Sequence, residues 1–195
     1  MKQAQNVRFS PRAAIFALLA IVVAVGAWTM LGRRAAPSAS TSVAAEKLAV
    51  GGAGPEFAVS TTHGLFDLKD VRQPVLLEVF ATWCPHCQRE TTTLNALEAA
   101  YGRRLRIVAV SGSDTGMDHQ TAESQNDVLQ FAQRFNVKYA VGYDPSLRIA
   151  QQYLADAFPT MVVFDRAHRV VAKGSGEMSM AQLRKWLRDA GVEGV

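Results

Sequence analysis

Hydrophobic and polar residues follow two different periods in residues 55–195, and together these periods predict strands that alternate with helices. Nearly continuous apolar runs at 75–81 and 106–111 predict two buried strands. Between them, residues 87–101 carry apolar side chains at helical spacing, and Gly102 follows as a helix C-cap. Strands separated by helices predict a parallel sheet that is covered on both faces.

The remaining elements are predicted by shorter patterns of the same kind. Residues 57–60 and 65–68 flank a Gly turn and predict a small hairpin that opens the domain, and residues 161–164 and 170–172 predict a second hairpin near its end. Further predictions are a helix around Val128 to Phe135, a strand at 139–143, a short helix capped by Asp144, and a closing helix that contains Leu183, Trp186 and Leu187.

The amino-terminal region has a different character. Residues 13–31 are almost uniformly apolar and uncharged, and 19 residues form a helix of roughly 28 Å, enough to cross a bilayer. Signal-peptide cores usually have only ~7 to 15 apolar residues, so an uncleaved anchor is favoured over a cleaved signal. Residues 1–12 then form a cytoplasmic segment because basic residues stay inside, and residues 32–54, rich in small residues, form a flexible linker to the domain at 55–195.

Net charge excludes one class of partner. The chain carries +4 overall, but five of its basic residues precede the first acidic residue, and residues 35–195 carry 16 basic and 17 acidic side chains. Nucleic acid is therefore not an implied partner. The sequence has no flavin, haem or nucleotide motif. Its glycine cluster at 51–54 follows no strand and is therefore not a phosphate-binding loop. We expect no cofactor.

The candidate reactive residues are the only two cysteines, Cys84 and Cys87, which lie at the junction between the predicted strand at 75–81 and the predicted helix. A thiolate at a helix start is stabilised by unpaired amides and by the macrodipole, so Cys84 is predicted to ionise readily and to be the nucleophile. Cys87, one turn further, is more shielded and would resolve a mixed disulfide. His86 can donate toward the Cys84 sulfur.

A pair of cysteines can also have a structural or a metal-binding role. A purely structural disulfide would close a very short loop and stabilise the fold little. Structural zinc requires about four ligands, whereas the other histidines, His63, His119 and His168, are scattered singly. A Cu(I) chaperone that uses both thiolates is the binding-class alternative, since soft sulfur suits that ion.

The segment Trp83-Cys84-Pro85-His86-Cys87, together with Phe158-Pro159-Thr160 before the last hairpin, resembles the thioredoxin fold. The opening hairpin and the extra helix and strand at about 122–143 resemble in particular the membrane-anchored TlpA/ResA-like redoxins. The resemblance implies an α/β domain with a central mixed sheet flanked by helices, an N-terminal hairpin and an inserted helix-strand segment, preceded by one transmembrane helix.

The resemblance also implies roles for individual residues. Pro159 maps onto the family's cis-proline, and Phe158 onto the residue whose backbone pairs with a bound substrate strand; Trp83 and Thr160 lie beside these positions as further substrate contacts. Glu78 and Glu90 match acids that carry protons near the active site. A charge that is buried without a partner is costly, so a buried Glu78 would titrate high.

The expected function is disulfide exchange with exported proteins by a domain that faces the periplasm from the inner membrane, with a membrane redox partner that supplies or removes electrons. The scaffold favours a reductase, of the kind used in cytochrome c maturation or copper-site assembly. The Pro-His dipeptide between the cysteines is instead that of the oxidase DsbA, so a thiol oxidase is the alternative. Peroxide reduction is disfavoured because Ala81 stands where peroxiredoxins would have a threonine.

Overall fold

The computed structural model describes residues 48–195, where seven strands and four α-helices follow one another. The strands are β1 (Ala58–Thr61), β2 (Gly64–Asp67), β3 (Val75–Phe80), β4 (Arg106–Ser111), β5 (Ala140–Tyr143), β6 (Thr160–Phe164) and β7 (Val170–Ser175). The helices are α1 (Pro85–Tyr101), α2 (Gln125–Arg134), α3 (Arg148–Tyr153) and α4 (Met180–Asp189), and a 3-10 turn at Leu68–Asp70 follows β2. The elements predicted for this region are present, with ends that differ by a few residues.

The strands form one mixed sheet in the order β2-β1-β5-β4-β3-β6-β7. The pairs β3–β4 and β4–β5 are parallel, as the alternation of strands and helices predicts, whereas the two hairpins and the β3–β6 pair are antiparallel. Strand β3 is flanked by β4 and β6, and each of its six residues is buried. The residues that follow β3 therefore begin from a rigid and well-supported point.

Side chains of β3 alternate between two apolar layers, as the pleat requires. Leu76 and Phe80 pack in a layer with α1, α2 and α4, and the rings of Phe80 and Phe131 lie 4.7 Å apart. Leu77 and Val79 pack in the opposite layer with α3 and the opening hairpin. Glu78 shares the pleat of Leu76 and Phe80, so its carboxyl group lies on the α1 side of the sheet.

Residues 48–54 belong to the folded domain, which corrects the linker boundary predicted at residue 54. Gly51 N donates to Val170 O at 2.8 Å, and Val170 N donates to Gly52 O at 2.9 Å. A Cβ at Gly54 would overlap the Phe164 ring, so this close approach needs glycine. Small residues were interpreted as a sign of flexibility, but here they allow the backbone to lie directly against β7.

The predicted cytoplasmic segment 1–12, the anchor 13–31 and most of the linker lie outside the described residues. Among the helices of residues 48–195, none combines the length and the hydrophobicity that a membrane crossing requires. The anchor therefore stays a prediction from sequence.

Two predicted caps are present in modified form. Gly102 is the C-cap of α1 with a right-handed backbone, and a Cβ there would lie 2.7 Å from Glu98 O. Asp144 does not occupy the N-cap position of α3, which is Leu147. Its carboxylate nevertheless accepts a hydrogen bond from Ile149 N at 2.8 Å, so it satisfies a first-turn amide from further upstream.

Candidate active site

Cys84 is the N-cap residue of α1, as the sequence predicts. Its backbone is extended, with ψ at 117°, and its carbonyl accepts the hydrogen bond from Gln88 N at 3.1 Å that opens the helix. Pro85 occupies the first helical position, where the N–H that proline lacks has no helical partner in any case. The Cys84 sulfur therefore lies at the positive end of the macrodipole.

Both cysteines are free thiols with little exposure: 4% for Cys84 and 0% for Cys87. The prediction that Cys87 is the more shielded sulfur is confirmed. The Cys84 thiol donates to Phe158 O at 3.8 Å, a long bond of the kind sulfur makes. The Phe158–Pro159 peptide bond is cis, as the resemblance implies. The Cys84 sulfur thus faces the main chain directly before the cis peptide bond.

Glu78 is buried on the central strand, with 1% of its surface exposed, so it is not a solvated edge residue. Burial raises its pKa well above the usual value, and the charge of Glu90 raises it further. Within residues 48–195, Glu78 Oε1, Glu90 Oε1 and the Tyr139 hydroxyl have no hydrogen-bond partner. A buried carboxyl in this state binds its proton more tightly than an exposed one, so its carboxylate form is a stronger base.

Glu90 is buried as well, with 2% of its surface exposed, although it lies on a helix. Its Oε2 accepts a hydrogen bond from Met178 N at 3.0 Å, in the loop between β7 and α4. Burial raises the pKa of Glu90, and the Met178 amide lowers it in part. Two buried carboxyl groups with elevated pKa values, Glu78 on β3 and Glu90 on α1, therefore lie in the interior.

Cys87 responds to these surroundings. Burial raises the pKa of its thiol strongly, and a charged Glu78 raises it further because two negative charges would then be neighbours. A proton shared between Cys87 and Glu78 is consequently favoured over two anions. Cys87 can become a nucleophile only when a neighbouring base takes its proton.

His86 does not donate to the Cys84 sulfur, which corrects the sequence prediction. Its Nδ1 lies 2.6 Å from Glu177 Oε1 and 2.8 Å from Arg89 Nη2, and the side chain is largely exposed. Arg89 Nε also donates to Glu177 Oε1 at 2.9 Å. The acidic partner is 91 residues away along the chain, so the sequence contained no sign of it.

Trp83 directly precedes Cys84, and its side chain is held by two contacts. Its Nε1 donates to Ser113 Oγ at 2.9 Å, and its ring meets that of Phe158 edge to face at 6.0 Å. The His119 ring lies 5.2 Å away on the loop after β4. Trp83 is half-buried, so part of its surface remains open for the predicted substrate contact.

The side chain of Thr160 is fully buried, which corrects its prediction as a substrate contact. Its hydroxyl donates to Ala157 O at 2.8 Å and accepts from Ala155 N at 3.1 Å. Thr160 therefore holds the loop that precedes Pro159 rather than presenting a polar group to a ligand.

Glu123 is a site residue that the sequence analysis missed. It is 5% exposed, and Thr82 Oγ1 donates to its carboxylate at 2.8 Å, while Ser111 Oγ donates to its other oxygen. Burial raises its pKa, and the two hydroxyls oppose the rise. Glu123 joins the end of β4 to the turn that carries Trp83 and Cys84. It lies in a polar stretch, and no local pattern distinguishes it there.

Replacing Glu123 with alanine is expected to lower the free energy of unfolding by about 1–3 kcal/mol, since the buried Thr82 and Ser111 hydroxyls would lose their acceptor. Glu123→Gln keeps an acceptor of the same shape and should lose less. Urea denaturation of the two variants and the parent measures this. Equal stability of Glu123→Ala and the parent would contradict a bracing role.

Within residues 48–195, no three His, Cys, Asp or Glu side chains are grouped closely enough to hold a metal ion. A Cu(I) site that uses the two sulfurs alone is not addressed by that finding and stays a prediction. The described arrangement is suited to exchange of sulfur–sulfur bonds: one thiol with slight exposure at a helix start, one fully buried thiol, and carboxyl groups that can exchange protons with it.

Comparisons with known proteins agree with this chemistry. The AhpC/TSA family profile matches residues 50–173. The thiol-disulfide oxidoreductase ResA of Bacillus cereus is 28% identical over 146 residues, covering 73% of this chain and 79% of its own. A structure described as the thiol:disulfide interchange protein DsbE from Chlorobium tepidum superposes with a TM-score of 0.64 at 23% identity, covering 73% of this chain and 98% of its own.

A thioredoxin-like protein from Aeropyrum pernix superposes with a TM-score of 0.57 at 18% identity, covering 68% of this chain and 88% of its own. At such identities these structures show the fold alone. They confirm the predicted thioredoxin-like α/β fold with its mixed sheet.

Proposed function

The chain belongs to the AhpC/TSA family, and we propose that it is a thiol-disulfide oxidoreductase that reduces disulfides of exported proteins. The observation that carries the proposal is the position of Cys84. It caps α1, faces the carbonyl that precedes cis-Pro159, and has the buried Cys87 and Glu78 behind it. The activity of the ResA relative is of the same class.

The first step is attack by the Cys84 thiolate on one sulfur of a substrate disulfide. A bond forms between Cys84 Sγ and that sulfur, and the second substrate sulfur leaves as a thiolate, which takes a proton from water. Phe158 O, which accepts the Cys84 thiol in the free protein, lies where a substrate strand would reach the sulfur. The Trp83 ring lies beside this position, edge to face with the ring of Phe158.

The second step releases the product. Cys87 gives its proton to the Glu78 carboxylate, attacks Cys84 Sγ and displaces the first substrate sulfur as a thiolate. Two electrons have then moved from the two cysteines to the substrate, and the protein holds a Cys84–Cys87 disulfide. The raised pKa of Cys87 keeps its thiol protonated until this step, and the raised pKa of Glu78 makes its carboxylate a stronger base for that proton.

The proposal includes location and electron supply. Residues 13–31 would anchor the domain in the inner membrane with residues 1–12 in the cytoplasm, so that the site faces the periplasm. A membrane redox partner would return two electrons to the Cys84–Cys87 disulfide after each turnover. The length of the apolar stretch and the excess of basic residues before it support this arrangement.

The direction of electron flow is tested by the reduction potential. We expect a value below about −150 mV, within the range of reductases and isomerases and away from the ~−120 mV of DsbA. Equilibration with glutathione buffers, followed by thiol alkylation and a gel shift, measures it. A potential above about −150 mV would contradict the reductase and favour a thiol oxidase, to which the Pro-His dipeptide corresponds.

A further inference from the structure

The loop that follows β7 contacts three different parts of the active site with three consecutive residues. Gly176 N donates to Pro159 O at 2.8 Å, Glu177 binds His86 and Arg89, and Met178 N donates to Glu90 at 3.0 Å. Gly176 has a φ of 86°, a conformation that favours glycine. This loop therefore holds Glu177 at a fixed place beside the start of α1.

Glu177 contacts two side chains from the first turns of α1, Arg89 and His86. One carboxylate oxygen, Oε1, accepts from Arg89 Nε at 2.9 Å and from Arg89 Nη2, and it lies 2.6 Å from His86 Nδ1. Exposed ion pairs of this kind contribute little to stability. Stabilisation of the fold is thus a weak explanation for the cluster. A better explanation is its position on the first turns of α1, the helix that Cys84 caps.

Charge on Arg89 is coupled to charge on Cys84. The pKa of Arg89 is raised first by Glu177, and a Cys84 thiolate contributes to the rise. Arg89 in turn lowers the pKa of Glu177, with a smaller effect from His86, so Glu177 is ionised at neutral pH. The carboxylate of Glu177 therefore opposes the positive potential that Arg89 produces near the Cys84 sulfur.

We propose that Glu177 is a positioning residue that weakens the positive charge of Arg89 at Cys84, and so keeps a site with a Pro-His dipeptide from becoming a strong oxidant. This inference rests on the proposed function, since it names what sets the direction of the same site. Positive charge near Cys84 stabilises the thiolate and hence the dithiol form, which makes the disulfide a better oxidant. The negative charge of Glu177 has the opposite effect: it destabilises the Cys84 thiolate and makes the disulfide a weaker oxidant.

The test is the equilibrium in which two glutathione thiols reduce the Cys84–Cys87 disulfide and become glutathione disulfide. For Glu177→Gln in the full-length protein, we expect the constant to shift roughly threefold toward the protein dithiol, or ~15 mV toward oxidant. The rate of Cys84 alkylation at pH 6 should rise by a similar factor. Arg89→Gln should shift both quantities the opposite way.

A matched control is Asp189→Asn, which removes the same charge from another exposed pair, Lys185–Asp189 on α4. It should change neither quantity. An electrostatic effect should also shrink at ~1 M salt, where the screening length is about 3 Å, and a purely structural effect would not. Unchanged values in Glu177→Gln, or a shift equal to that of Asp189→Asn, would overturn the inference.

The outcome is separable from that of the proposed function. The reduction potential and the alkylation rate are measured without a protein substrate. Unchanged values in Glu177→Gln would therefore overturn only the inference about Glu177, and the proposed function would still be tested by whether the parent protein reduces insulin. Conversely, absence of that activity in the parent would end the proposed function whatever Glu177 does to the potential.

Discussion

The Cys84→Ser variant is expected to reduce insulin no faster than the uncatalysed background, a loss on the order of 10³-fold or more. Serine can occupy the N-cap of α1 without disturbing it, because serine is among the favoured N-cap residues. Its oxygen, however, cannot form the mixed disulfide through which exchange must pass. Precipitation of reduced insulin, followed by light scattering with dithiothreitol as electron donor, measures the loss.

Cys87→Ser provides the matched control, since it alters the other sulfur of the same motif. The nucleophile is intact in that variant, but nothing can resolve the adduct, so a covalent complex between Cys84 and a substrate cysteine should accumulate after one turnover. Mass spectrometry of the trapped complex identifies the bonded cysteine. If Cys84→Ser keeps its activity, or if the adduct forms on another residue, the assignment of the nucleophile is wrong.

The sequence predicted those features that depend on short-range patterns. A run of apolar residues at 75–81 suffices to identify a central strand, because a strand buried on both faces has few polar positions. The exception, Glu78, was recognisable for the same reason: a lone acid inside such a run must be buried or displaced. Cys84 and Cys87 were recognisable because they are the only cysteines and stand between a predicted strand and a predicted helix.

Features that depend on long-range contacts were not predictable. Glu123 is a site residue because β4 brings Ser111 beside the turn that holds Thr82, which is 41 residues away from Glu123. His86 was assigned to the Cys84 sulfur by local reasoning, and Glu177 from the last loop instead binds it. Polar residues in loops have no periodicity, so only the folded topology shows which of them meet.

Replacing Glu78 with glutamine is expected to stabilise the protein, and increasingly so as the pH rises. Because burial raises the folded-state pKa of Glu78 above its ordinary value of 4.5, the folded state binds more protons than the unfolded state above that pH. The stability of the parent therefore falls as pH rises from about 4.5 toward the folded pKa, whereas glutamine has no proton to lose. At pH 8 we expect Glu78→Gln to exceed the parent by about 1–3 kcal/mol in free energy of unfolding.

The same substitution should slow catalysis while it stabilises the fold, a combination that damage to the structure would not produce. Without the carboxyl group, Cys87 loses the base beside it, so the rate of release from the mixed disulfide at pH 7 should fall by about 10²-fold. The difference in rate between the variant and the parent should narrow at high pH, where hydroxide can remove the Cys87 proton. Stopped-flow release from a preformed Cys84 adduct measures the rate, and Glu193→Gln, an exposed position near the carboxyl end, serves as control. A parent-like rate in Glu78→Gln would assign the proton transfer to Glu90, and a stability difference that does not grow with pH would show that Glu78 titrates normally.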